Sequence, residues 1–187
     1  MRAMNRCKLL RLLLAGGVGL LLMGHSPYRQ WSVFRAKHLI VVTDDANPNG
    51  FPLAEAVAAA IAARLPESKA MAAKAKTSRD VVKLLRSHQL LLGLLPIDDA
   101  LEAFRPSGRF SRDAPVPLRT LAIFGPYLLV VLEDYSREKA QQIAKTLAEH
   151  PGNWPIPEKS IAKDKSQIPF HPGALDYYEG RSSREGH

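Results

Sequence analysis

Unbroken apolar runs alternate with helix-spaced apolar positions along the body of this chain. Leu39-Ile40-Val41-Val42 has no polar break and three β-branched residues, which predicts a strand covered on both faces, as in a parallel sheet. Residues 43–52 are polar turn formers and cannot continue it. Leu53, Val57, Ile61 and Leu65 then recur every four residues with alanines beside them, the spacing of a helix. Pro52 fits the first turn of that helix and Pro66 stops its far end. Residues 69–76 predict a short second strand. Thr77 or Ser78 caps a helix through Val81, Val82, Leu84 and Leu85 that ends at Ser87-His88. Residues 90–95 form a second continuous apolar run, the third strand, which Pro96 breaks. Asp98 or Asp99 opens the next helix, through Ala100, Leu101 and Phe104, as a cap for its free N–H groups.

Residues 105–117 are a loop rich in Pro, Ser, Gly and Arg. Two strand-like runs follow, 118–124 and 127–132, separated by Gly125-Pro126. Ser136 caps a helix that places Ala140, Ile143, Ala144 and Leu147 on one face. No internal repeat is visible. Strands alternating with helices predict an α/β fold, a mostly parallel open sheet with flanking helices joined by right-handed crossovers. Residues 39–42 and 90–95 are expected as adjacent central strands.

The amino-terminal segment changes the picture. Arg2, Arg6, Lys8 and Arg11 precede residues 12–24, which are uncharged and mostly apolar. A basic start before a short apolar core is the pattern of an export signal. The small residues Gly24 and Ser26 precede Pro27, which disfavours cleavage, and Tyr28, Arg29, Trp31 and Arg35 resemble an interfacial belt. The expectation is an uncleaved membrane anchor with a juxtamembrane segment over residues 1–37, the body outside the cytoplasm over 38–180, and a disordered tail over 181–187. A removed signal peptide is the other reading, and it also exports the body.

Composition narrows the chemistry. Of 187 residues, 46% are hydrophobic, which is globular rather than disordered. The net charge of +8 comes from Lys and Arg spread along the whole chain, with no basic stripe or aromatic nucleic-acid motif, so no nucleic-acid partner is expected. The single cysteine, Cys7, allows no internal disulfide and no multi-cysteine zinc site. The six histidines do not pair at ligand spacing, so neither a metal nor a cofactor is expected. No phosphate-binding glycine loop, nucleophile elbow or H-E-x-x-H helix occurs, and no nucleophile–base set emerges; the chain is not expected to be an enzyme. The first strand–loop–helix unit is the place to look for a ligand. In an open α/β sheet, ligands bind where loops leave the carboxyl ends of strands, against helix N-termini.

Two separated pieces resemble one family. The first spans residues 39–132: the opening strand, a loop ending Gly50-Phe51-Pro52, the helices and strands above, and Pro117-Leu118-Arg119-Thr120-Leu121-Ala122. The second is Ile168-Pro169-Phe170-His171-Pro172-Gly173-Ala174-Leu175-Asp176-Tyr177-Tyr178-Glu179-Gly180. Together they resemble the TAXI-type solute-binding proteins of tripartite ATP-independent periplasmic (TRAP) transporters. The second piece resembles the family's carboxyl-terminal signature of a proline, His-Pro-Gly-Ala and a tyrosine pair.

The resemblance implies a type 2 periplasmic-binding-protein-like fold. Family members have two α/β lobes, and residues 134–167 have room for one helix and a loop, so the expectation is a single lobe. It implies a membrane-anchored, extracytoplasmic solute-binding protein on the inner membrane with its body in the periplasm. The alternative is an interaction module that kept the lobe and lost transport. Partners are then a small-molecule ligand, a membrane transporter or another protein. Candidate ligand-contacting residues are Thr43, Asp44, Asp45, Asn47, Asn49 and Phe51 in the opening loop, with Pro96 and Asp98 after the third strand. Asp44 and Asp45 stand where the family offers glycine backbone, so a cationic or polyhydroxylated ligand, or a cation, is expected over a carboxylate. His171, Tyr177 and Tyr178 are expected to dock a terminal helix begun by Pro172 rather than to touch ligand.

Overall fold

The computed structural model describes residues 33–35, 37–150 and 168–180. The expected anchor and the tail at 181–187 fall outside these residues, apart from positions 33–35 and 37. The chain divides into two units, Met1–Phe34 and Arg35–His187; the second is described below. Among the described residues, no helix is long and apolar enough to cross a membrane.

Five strands form one mixed sheet in the order β2-β1-β3-β5-β4. They are β1 (Ile40–Asp44), β2 (Met71–Ala75), β3 (Leu92–Pro96), β4 (Leu118–Phe124) and β5 (Tyr127–Leu132). β1 pairs in parallel with β2 and with β3, so the expected neighbours are adjacent, with Val41 opposite Leu92. β5 runs antiparallel to β3 and to β4. Four strands therefore share one direction, and β5 is the exception. Gly125 has φ +58° and turns β4 into β5, a backbone angle that glycine adopts without penalty.

The helices are α1 (Gly50–Arg64), α2 (Ser78–Arg86), α3 (Ile97–Phe104), α4 (Arg137–Ala148) and α5 (Pro172–Tyr178). Successive residues of a strand face opposite sides of a sheet. A Cβ placed on Gly50 of α1 would lie 2.9 Å from the Thr43 hydroxyl, whereas the next residue, Asp44, accepts a hydrogen bond from Ser78 of α2. α1 and α2 thus cover opposite faces. α4 packs on α1, and α5 packs on α4. Val41, Leu92, Leu94, Leu95 and residues 128–131 of β5 are fully buried between the layers, which is why these stretches read as continuous apolar runs.

At the cleft end of the sheet, the boundaries of β1 and β3 differ from the sequence reading. β1 continues through Thr43 and Asp44, which pair with Lys74 and Ala75, because Asn47 and Ser78 supply hydrogen bonds to the Asp44 carboxylate within the fold. Pro96 closes β3 opposite Tyr127 instead of lying beyond it; as a terminal strand residue it has no ladder N–H to lose.

The carboxyl-terminal piece docks as expected. Pro169 and His171 bracket Thr120, whose N–H donates to the Pro169 carbonyl while its carbonyl accepts from His171 N–H, both at 2.9 Å. His171 Nδ1 accepts the Gly173 N–H at 3.1 Å, capping α5, and its Nε2–H donates to the Tyr135 carbonyl at 2.9 Å. A side chain at Gly173 would overlap the Arg137 carbonyl. Arg137 grips Asp176 at 2.6 and 2.8 Å. The pairing of β4 with β5 slips between Thr120 and Ala122, and the Leu121 carbonyl accepts the Tyr178 hydroxyl at 3.0 Å.

Candidate functional site

The carboxyl ends of β1 and β3 lie side by side, and the loops leaving them open a cleft of about 710 Å³. Its walls come from three stretches: Ala46 and Asn47 after β1; Pro96, Asp98, Asp99, Leu101 and Glu102 at the start of α3; and Arg105, Ser107 and Arg109 from the loop that follows. This is the position where an open α/β sheet takes ligands.

Behind the cleft lies a buried polar cluster. Asp44 is 1% exposed and Asp99 5% exposed, and the Ser78 hydroxyl lies within hydrogen-bond reach of both carboxylates. Asn47 donates to Asp44 from its backbone N–H at 3.1 Å and from its side-chain amide at 3.2 Å. On the cleft side, Arg109 donates one terminal N–H to Asp99 at 3.2 Å, and its other terminal nitrogen lies 3.2 Å from the second carboxylate oxygen as an ion-pair contact. Its Nε lies 3.7 Å from Glu102, which also accepts the Arg109 backbone N–H at 3.1 Å. A side chain at Gly108, where φ is +47°, would run into the Glu102 carboxylate.

Asp98 and Asp99 lie in the first turn of α3, where they complement its dipole as expected, but neither caps it. α3 begins at Ile97 with Pro96 at its N-cap and no side-chain cap bond. Asp99 turns instead to Ser78 and Arg109, where a buried carboxylate gains a charged donor. Asp98 is exposed in the wall of the cleft. For α2 the cap is Thr77, which accepts from Asp80 N–H, and this leaves Ser78 for the cluster.

The eight sequence-predicted residues divide into three groups. Asn47, Pro96 and Asp98 meet in the cleft. Thr43 and Asp44 are buried under the loop rather than presented by it; the Thr43 hydroxyl faces Gly50 with no hydrogen-bond partner among the described residues. Asp45, Asn49 and Phe51 lie outside the cleft lining. Asp45 pairs with Lys74 at 2.7 Å, the same ammonium stands 4.7 Å from the Phe51 ring centre, and exposed Asn49 precedes α1 without capping it. Arg105, Ser107 and Arg109 are not legible in the sequence because they reach the cleft only when the 105–117 loop folds back, whereas Glu102 comes from α3 itself, one turn beyond Asp98.

Nearby, Tyr127 is held above the ordinary phenol range, first by burial and then by the Asp44 carboxylate. Three carboxylates, Asp98, Asp99 and Glu102, line the cleft against two guanidinium groups, Arg105 and Arg109, and Asp44 stands just behind. The chemistry of the walls is therefore acidic with apolar relief at Pro96 and Leu101. Among the described residues, no group of three or more His, Cys, Asp or Glu side chains is placed to hold a metal ion. No protein-family model matches the chain, and no curated protein matches it.

Proposed function

We propose that this chain is a membrane-anchored, extracytoplasmic solute-binding protein related to the substrate-binding subunits of TRAP transporters. Its lobe takes a small molecule in the cleft over the ends of β1 and β3. The observation that carries this reading is the meeting of Asn47, Pro96 and Asp98 in one cavity at the strand ends. The resemblance of residues 39–132 and 168–180 to TAXI-type proteins supports it. So does the basic and then apolar amino-terminal sequence, which motivates the anchor and the periplasmic placement. The function is binding without catalysis.

The excess of carboxylate in the walls favours a cationic or polyhydroxylated solute over a dicarboxylate. Calorimetry on the full chain tests this. Asp98→Asn is expected to weaken such a solute by about 1.5–3 kcal/mol, the worth of a charge-assisted hydrogen bond, with the fold intact because Asp98 caps nothing. Tight binding of a dicarboxylate, unchanged in Asp98→Asn, would contradict the reading. Fractionation with amino-terminal sequencing tests the anchor; a soluble mature chain starting after residue 26 would remove it and keep export.

A second reading has one observation in its favour. A single α/β unit walls the cleft among the described residues, and a half-site gains affinity when a protein partner completes it. On that reading the lobe is an interaction module, and affinity capture returns a protein while every solute fails.

A further inference from the structure

We propose that the cleft recognises a guanidinium or alkylammonium group and that Arg109 occupies this position as a displaceable internal occupant. This rests on the cleft being a ligand site, and it names the chemical class that the site takes. Two buried carboxylates, Asp44 and Asp99, face one serine hydroxyl, and Ser78 has only one proton to donate. Asp44 is otherwise served by the neutral amides of Asn47. Among the described residues, the cation that reaches this buried pair is the Arg109 guanidinium, which enters from the cleft and sets both terminal nitrogens 3.2 Å from the Asp99 oxygens, one of them as a hydrogen bond. Buried carboxylate of this kind needs a cation at the cleft surface, and the cleft shows what shape of cation fits: a planar group that sets one donated bond and a second charged nitrogen against the two oxygens of Asp99, with Pro96 and Leu101 in the same walls for an apolar stem.

Arg109 is placed to leave. Its side chain is 59% exposed while that of Asp99 is 7% exposed. Both of its contacts to Asp99 are 3.2 Å, longer than the 2.7–2.9 Å typical of charge-assisted bonds. The loop that carries it is fixed by other contacts. Phe110 is 1% exposed, Arg79 donates to the Arg109 carbonyl and pairs with Asp113, and Glu102 holds the Arg109 N–H. The guanidinium can swing into water while the backbone stays, so the cavity keeps its walls when the internal occupant gives way.

Chemical rescue of the full-length protein tests this. Thermal unfolding of Arg109→Ala is followed with methylguanidinium chloride in the millimolar range. A saturable rise in Tm of several degrees is expected. The rise should be absent in Arg109→Ala/Asp99→Asn, and wild type should need at least about tenfold more probe, because its own arginine occupies the position. Should Arg109→Ala not fold, Arg109→Lys carries the test with a response between the two. Agmatine and an arginine-centred peptide distinguish the source: stronger response to agmatine assigns a small solute, and stronger response to the peptide assigns the side chain of a partner. An equal rise in the single and double variants, or none in a folded single variant, overturns the proposal. A polyol that stabilises wild type without any rescue removes the guanidinium site and leaves the solute reading. Rescue with no solute bound by wild type keeps the guanidinium site and removes the transport reading.

Discussion

Thr43 and His171 show how single side chains are committed to the fold. Thr43 is fully buried, and its hydroxyl has no partner among the described residues. Replacing a buried, unpaired hydroxyl by a methyl of the same shape removes a desolvation penalty. Thr43→Val is therefore expected to raise stability by about 1 kcal/mol in urea unfolding and to leave solute binding unchanged, whereas a ligand-contacting Thr43 would lose binding. His171 accepts at Nδ1 and donates at Nε2, so only the neutral ring satisfies both neighbours. Burial lowers its pKa, opposed by the Tyr135 carbonyl and reinforced by the charge of Arg119. The unfolded chain titrates near the ordinary value of about 6.5 and binds the proton more readily than the native state does. The stability from this group is thus complete above about pH 6.5 and is lost as pH falls through that value toward the lower folded one. Urea midpoints should fall on acidification over this range. His171→Asn, which can still cap Gly173 and does not titrate, should flatten the change.

At the scale of elements, the parts most legible in the sequence are those whose burial is two-sided. β1, β3 and β5 are covered on both faces and read as apolar runs; α4 reads from Ser136 and its four apolar positions, and Ser136 does accept the Lys139 N–H. Leu92 is fully buried beside Val41. Leu92→Asp would bury an unpaired charge in the sheet and is expected to abolish cooperative unfolding and native circular dichroism; a folded variant would contradict the register. The strand ends were harder to read. Composition marked Thr43 and Asp44 as loop, yet pairing with β2 and the cluster around Ser78 hold them in the sheet. The direction of β5 was also missed: the Gly125-Pro126 turn was visible, but an apolar run has the same pattern whichever way it runs.

For the whole molecule, the smaller part of the candidate site is written in local sequence and the larger part is not. Asn47, Pro96 and Asp98 follow from a general rule about strand ends and helix starts. Asp99 and Arg109 are ten residues apart in the chain and become a pair only when the loop after α3 returns over the cleft. No pattern along the chain announces that return, since it depends on Phe110 filling the core and on Gly108 clearing Glu102. Asp45, an acidic residue of the opening loop, lies outside the cleft lining and pairs with Lys74 at the surface, where such pairs contribute about 0–1 kcal/mol.

Binding of a small solute where β1 and β3 end is tested most directly by residue-resolved amide shifts during a titration of the full-length protein. A cationic or polyhydroxylated solute is expected to move the amides of Asn47, Asp98, Glu102, Ser107 and Arg109 together, with one dissociation constant, and to leave Ala174 and Tyr178 of α5 in place. Shifts centred on α5, or the same shifts in Asp98→Asn with unchanged affinity, would contradict it.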